Sequence, residues 1–322
     1  MAADLPPELL HMICDQLDTG SVLNFRLVCQ VWAAIGVEHI IPEISVQLHP
    51  KSLARLEAVS QHPVLSRYVY FLNYERNTLP EYTYEAWEKN VFCLAHLKKW
   101  PELSSMDQAS KTRAYTQFQR VFKEQQQVYR RSEDSWVLDA AIARFPQLIS
   151  LSVIDRPTYE DAWKYPELSI ASKTLYGGNL QPRLASEMGS TCNVVQIKSL
   201  LTRLAKLNPR LLSLTVAELG WEFFKWTGRE FEMMEGAIGC LEDLELWIKL
   251  DGLRPKDLSQ MTLFDHNLQR FLSTSSDLEM LRIHLRVTLW DHRLVHLPKI
   301  LADCYWPKLS FLALGGFKAT AE

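Results

Sequence analysis

The chain has 322 residues, is 47% hydrophobic, and carries 35 lysines and arginines against 38 acidic residues, a formal net charge of −3. That is enough apolar material for one large core or two unequal domains. The charge balance argues against a protein that gains affinity by neutralising nucleic-acid phosphates.

No apolar run reaches the length of a membrane span, and the amino terminus is acidic and proline-rich instead of basic then apolar. The expected setting is therefore intracellular, in the cytoplasm and/or nucleus, with no membrane and no nucleic acid as partner. The densest basic segment, Arg113, Arg120, Lys123, Arg130 and Arg131, is diluted by Glu124 and glutamines and reads as a solvated helix face. Six scattered cysteines, Cys14, Cys29, Cys93, Cys192, Cys240 and Cys304, read as reduced, buried thiols.

Between Asp4 and Ile41, apolar residues recur at helical spacing: Leu5, Leu9, Ile13, Leu17, Val22, Phe25, Val28 and Trp32. Asp4 is placed to cap a first helix, with Pro6 and Pro7 near its first position. Leu9, Leu10, Ile13, Cys14 and Leu17 then form a broad apolar stripe. Asp18-Thr19-Gly20 breaks it, Ser21 is placed to cap a second short helix, and the run Arg26 to Trp32 leads into a third. A unit of roughly 40 residues rarely buries enough surface to hold itself together, so it requires a partner, within this chain or outside it.

The joint pattern Leu5-Pro6-x-Glu8-Leu9, then Ile13, Leu17, Val22, Val28-Cys29 and Trp32, resembles the motif of the F-box family. One departure is Val22, where that family prefers leucine. The resemblance covers about an eighth of the chain. It implies a three-helix F-box over 1–45 in which Leu5, Pro6, Leu9, Ile13, Leu17, Val22, Val28, Cys29 and Trp32 serve the module that binds a Skp-type adaptor, and through it a cullin, some at the interface and some in its small core. The protein would then be the substrate-recognition subunit of an SCF-type cullin-RING ubiquitin ligase. The alternative is a set of helices that merely caps the following domain.

Beyond residue 46 a form Leu-x-x-Leu-x-(Leu/Val/Ile) recurs at Leu148, Leu211, Leu241, Leu278 and Leu309. Its middle leucines, 151, 214, 244, 281 and 312, lie 63, 30, 37 and 31 residues apart. Helical stretches fall between these strand-like segments: Trp136 to Phe145, Val194 to Leu207, Glu230 to Cys240, Leu263 to Leu272 and Leu294 to Cys304. The segment His62 to Asn73 reads as one earlier repeat. A strand and a returning helix every thirty-odd residues is what a solenoid requires.

This region, 46–322, resembles an irregular leucine-rich repeat. The overall expectation is an α+β or α/β solenoid behind the three helices; an ordinary wound α/β domain is the alternative. The Asn or Cys that usually follows the last strand leucine is absent, so the turns must be satisfied differently. Residues 82–131 read as a helical insertion. Trp87, Val91, Leu94, Leu97 and Trp100 lie on one face of it, and Ser105 and Gln108 form a capping box for a helix striped by Tyr115, Phe118, Phe122 and Tyr129. Residues 155–192, rich in turn formers, read as a long loop.

Reaction chemistry is not visible: there is no phosphate-cradling glycine loop, nucleophile elbow, Cys-x-x-Cys or His-Glu-x-x-His. His292 and His296, with His284 upstream, lack partners spaced to complete a metal site. No cofactor is expected, and the chain is read as non-catalytic. Asp243 and Glu245 share a strand face, but Trp247 and Lys249 continue it, which suits recognition better than acid-base work. The expected substrate-binding residues are Glu245 and Trp247 on one strand and Arg282, His284 and Arg286 on a later one. Whether Trp247 anchors a partner or packs under a loop is open at this level. The target would be an unknown protein.

Overall fold

Three short helices open the chain: α1 (Pro7–Cys14), α2 (Thr19–Phe25) and α3 (Gln30–Glu38). The computed structural model describes residues 5–76, 79, 81–92, 104–154, 191–207, 210–250, 258–286 and 297–317. Pro7 fills the first position of α1, where a missing N–H costs nothing. Pro6, not Asp4, stands at the N-cap, and no side chain caps the helix. At α2 the cap is Asp18, which accepts the Ser21 N–H at 2.8 Å. Ser21 therefore lies inside the helix it was expected to cap. Both residues are good cap formers, and only the backbone decides between them.

The small core of this unit is Leu10, Cys14, Phe25 and Ile35, flanked by Leu17 and Trp32, and it is separate from the main core. Phe25 and Trp32 stack with ring centroids 4.4 Å apart. A Cβ at Gly36 would come within 2.5 Å of Arg26 Cγ and 3.2 Å of Phe25 Cδ1, so the bare glycine is what lets α3 lie this close to α2. Opposite, His11 and His39 share a hydrogen bond of 2.9 Å, and His39 meets Asp15 at 3.0 Å, tying α1 to the end of α3.

Among the described residues, alternating apolar residues build seven strands: β1 (Glu43–Gln47), β2 (Phe71–Glu75), β3 (Ser150–Ile154), β4 (Ser213–Gly220), β5 (Asp243–Lys249), β6 (Met280–Arg286) and β7 (Phe311–Gly315). They form one sheet, parallel throughout, in the order in which they occur in the chain. The register aligns Ile44, Leu72, Leu151, Leu214, Leu244, Leu281 and Leu312 in one row, and Val46, Tyr74, Val153, Val216, Leu246, Ile283 and Leu314 in the next. Side chains on a strand alternate between faces, so one face of the sheet is apolar and the other polar.

The apolar face is covered by α4 (Pro50–Gln61), α7 (Glu133–Ile142), α8 (Thr191–Leu207), α9 (Gly228–Ile238), α10 (Leu258–Thr274) and α11 (Leu297–Leu301), with the end of α6 (Gln108–Arg131). All contribute to a single core. In the last row position Leu312 is 46% exposed, unlike its buried counterparts. Within this core Tyr74 donates its hydroxyl to Asp134, which also accepts from Gln196 Nε2 at 2.9 Å. Burial, and then the Asp134 charge, push the Tyr74 hydroxyl well above its ordinary pKa.

Main chain joins successive strands at their starts. The carbonyls of Pro42, Tyr70, Ile149, Leu212, Glu242 and Glu279 each accept two successive N–H groups from the start of the next strand, at 2.8–3.1 Å. Buried polar groups at strand starts are thereby satisfied without a side-chain ladder. Side chains bridge some neighbouring segments: Ser275 Oγ donates to the Ile238 carbonyl at 2.6 Å, and Trp306 Nε1 to that of Leu272 at 3.2 Å.

In the segment read as a helical insertion, α5 (Tyr84–Val91) and α6 have a core of their own made of Leu79, Trp87, Ala114, Phe118 and Val121. Asp107 caps α6 by accepting the Ser110 N–H, in place of the expected Ser105 and Gln108 box. His49 ties this unit to the sheet. Its Nδ1 accepts the Lys51 N–H, which leaves the proton on Nε2 to be donated to Glu124 at 2.9 Å.

Strand β1 spans the boundary expected between 45 and 46. Leu94, Leu97, Trp100, His292 and His296, and residues 155–190 of the expected loop, lie outside the described residues; 191 and 192 open α8. Cys240 is exposed, correcting the expectation of buried thiols, whereas Cys14 is buried, and burial pushes the thiol of Cys304 up to about 11. No helix among the described residues is long and apolar enough to cross a membrane.

Candidate partner-binding surfaces

The first surface belongs to the three opening helices. A stripe five apolar residues wide cannot be buried whole by so small a unit, and α1 divides it. Leu10 and Cys14 turn inward, while Leu9 and Ile13 remain 44% and 39% exposed. Leu5 (39%), Met12 (63%), Leu23 (48%), Leu27 (83%), Val28 (53%) and Val31 (54%) are exposed as well. Eight large apolar side chains exposed on one small unit are more than a monomer usually leaves to water.

Of the nine residues singled out from sequence, Leu5, Pro6, Leu9, Ile13 and Val28 face solvent. Leu17, Cys29 and Trp32 are half-buried, and Val22 is buried at 1%. Val22 therefore serves packing in this structure. Met12, Leu23, Leu27 and Val31 were not singled out. Their signal is the excess of apolar residues beyond what a 3.6-residue stripe can absorb. Burial raises the Cys14 thiol above its usual range, and the backbone N–H of Ser21, then its hydroxyl, hold Asp18 below the ordinary carboxylate value.

The second surface is the polar face of the sheet at β4–β6. The register sets Glu245 beside Arg282, Trp247 beside His284 and Lys249 beside Arg286, so the five expected residues do converge. Trp247 and His284 stack at 4.1 Å between centroids with 20° between planes, and the indole N–H donates to Glu245 Oε1 at 2.7 Å. His284 lies over Gly315, where a Cβ would sit 2.6 Å from its Nδ1. Trp247 is thus half-buried against its neighbours. Arg282 reaches Asp243 at 3.4 Å and Glu245 at 3.7 Å. Burial raises the Asp243 carboxyl above its ordinary pKa, an effect opposed by Arg282.

Glu218 was not foreseen. Two residues of β4, Ala217 and Glu218, stand opposite the single Trp247 of β5, a bulge between Val216 and Leu219, and Glu218 takes the left-handed region at φ 57°. Without the extra residue Glu218 would share the phase of Leu214 and Val216 and face the core. With it, Leu219 takes the core position, and the Glu218 carboxylate, 2% exposed, meets Lys249 Nζ and Arg286 Nη1, both at 2.8 Å. The signal in sequence is the shift of apolar phase from 214 and 216 to 219. Among the described residues, no group of three or more His, Cys, Asp or Glu is placed to hold a metal ion.

Comparison with protein families matches residues 3–35 to the F-box domain. The segment contains α1, α2 and most of α3, with all eight exposed apolar residues. A search of curated proteins returns no match.

Proposed function

We propose that this protein is a non-catalytic, intracellular substrate receptor of an SCF-type cullin-RING ubiquitin ligase. In this reading the opening helices bind a Skp-type adaptor, and through it a cullin, while the sheet region holds a target protein. The observation that carries the reading is the F-box match at 3–35 on a unit that leaves Leu5, Leu9, Met12, Ile13, Leu23, Leu27, Val28 and Val31 open to solvent. F-box domains generally bind Skp-type adaptors. Holding a target beside the charged enzyme raises its effective concentration and needs no reacting side chain here.

We read the sheet region as an irregular leucine-rich-repeat-like array, beginning after the opening helices. What supports this is the sequential parallel order, the in-register apolar rows and the recurring double-accepting carbonyls. Glu245, Trp247, Arg282, His284 and Arg286 are the proposed target-binding residues, and their convergence on adjacent strands supports them.

One observation favours a second reading, an interaction scaffold with no ligase role: α3 packs against the 3₁₀ turn Leu65–Tyr68, as a cap would. Co-expression with a Skp-type adaptor separates the two. The receptor reading expects a stable 1:1 complex on size exclusion. Two separate peaks, with this chain soluble alone, would favour the scaffold.

A further inference from the structure

The composition of β7 does not match its place in the sheet. Along one row of the polar face the earlier strands carry Ser45, Asn73, Ser152, Thr215, Glu245 and Arg282, and at that position β7 has Ala313. The strand reads Phe311-Leu312-Ala313-Leu314-Gly315, apolar on both faces, as parallel strands do where they are covered. Yet it is the last strand of the sheet. Phe311 and Leu312 are 45% and 46% exposed, although Arg282 lies over the Phe311 ring at 5.0 Å. At the opposite edge Ile44 and Val46, in the rows of Leu312 and Leu314, are 4% and 0% exposed.

Open edge strands are ordinarily blunted by charge, proline or a bulge. β7 has no charged residue and no proline, and its register with β6 is unbroken. Its main chain is laid out for another strand. At each earlier junction the carbonyl just before a strand accepts two successive N–H groups from the start of the next. On β7 the equivalent carbonyl is that of Ser310, and among the described residues nothing donates to it. The Phe311 N–H is given to Glu279, on the β6 side, so the alternation of a strand turns those of Leu312 and Leu314 to the outer edge.

The edge also limits what can occupy it. Two open apolar side chains and five residues of main chain fall short of the roughly 800 Å² per partner that a stable dimer needs, which disfavours a second copy. An added strand draws instead on main-chain hydrogen bonds, with alternate side chains giving specificity. With no charge along β7 to answer, the segment that fits is itself uncharged.

We infer that the outer edge of β7 takes up an extended, uncharged segment of a partner protein as a further parallel strand. Two successive N–H groups of the segment meet the Ser310 carbonyl, and its apolar side chains, at alternate positions, extend the rows of Leu312 and Leu314. Neither the opening helices nor the polar face of β4–β6 enters into it.

The test is selection of random 12-residue peptides by ribosome display against the full chain, followed by fluorescence anisotropy of the enriched sequences. Enriched peptides are expected to share an uncharged run of five residues, the length of β7, with apolar side chains at alternate positions. Leu312→Pro removes one outward N–H and leaves the β6 side of the strand paired, which edge strands tolerate. It should weaken the peptides at least tenfold with unchanged circular dichroism. Leu312→Lys, a charge of the kind that guards edges, should do the same, and it decides the matter should the proline variant unfold. A photo-crosslinker at the amino end of a peptide should attach near Ser310, and one at the carboxyl end near Gly315.

Absence of any enriched peptide, or crosslinks in the reverse order, overturns the inference. So does a dimer of the free chain, seen by light scattering, that Leu312→Pro dissolves, since a second copy then holds the edge. Peptides weakened by Trp247→Ala but not by Leu312→Pro overturn it and support the polar face as the target surface. Peptides that ignore both overturn it and place binding elsewhere.

Discussion

Leu9→Asp with Ile13→Asp is expected to abolish co-purification with a Skp-type adaptor while the chain stays folded. Both side chains are on α1, at 44% and 39% exposure, and neither belongs to the small core of Leu10, Cys14, Phe25 and Ile35. An aspartate at either place remains hydrated in the free protein, so the melting temperature should hardly change. In a complex the same two carboxylates would be buried without partners, against apolar surface. Losses of about 2 kcal/mol or more at each such anchor are usual, and about 4 kcal/mol together lowers affinity roughly a thousandfold. Leu10→Asp is the contrasting control: at 1% exposure it should collapse the helical unit, lowering stability and binding together.

Leu244→Ala is expected to be the more damaging change to the fold. Leu244 is fully buried in the middle of the sheet, between Leu214 and Leu281 in the same row. Removing its side chain loses transfer free energy and leaves a cavity, typically 2–5 kcal/mol, seen as a clear fall in the urea midpoint. Leu312 occupies the equivalent register position on β7 but is 46% exposed. Leu312→Ala should cost less than about 1 kcal/mol. Equal losses at the two positions would contradict the one-sided core.

These two experiments divide along the same line as the legibility of the sequence. The strands from Leu148 onward could be read because Leu-x-x-Leu-x-Leu marks both the buried face and the spacing, and the helices between them follow closely. Strand β1 was missed although Ile44, Val46 and Leu48 alternate, because the segment falls where one unit was expected to end and the next to begin. The caps at Asp18 and Asp107 were misplaced by three and two residues, since serine and aspartate compete for the same role.

The candidate surfaces were legible in part, for a different reason. Helical spacing alone cannot say which of Leu9 and Leu10 turns inward, because a three-helix unit has several ways to bury a stripe that wide. The family resemblance gave nine residues without dividing interface from small core; the structure leaves Leu9 and Ile13 exposed and buries Val22. On the sheet, adjacency of Trp247 with His284 and of Glu245 with Arg282 followed once the two strands were placed side by side. Glu218 depended on a bulge that shifts the phase of β4, and such a shift shows in sequence only as a broken alternation.

Hydrogen exchange of the full chain with and without a purified Skp-type adaptor decides whether the opening helices are the adaptor site. Strong added protection is expected over residues 7–31, where exposed apolar side chains lie, with little change along β1–β7. Complex formation that protects the sheet and leaves those helices exchanging as before would contradict it.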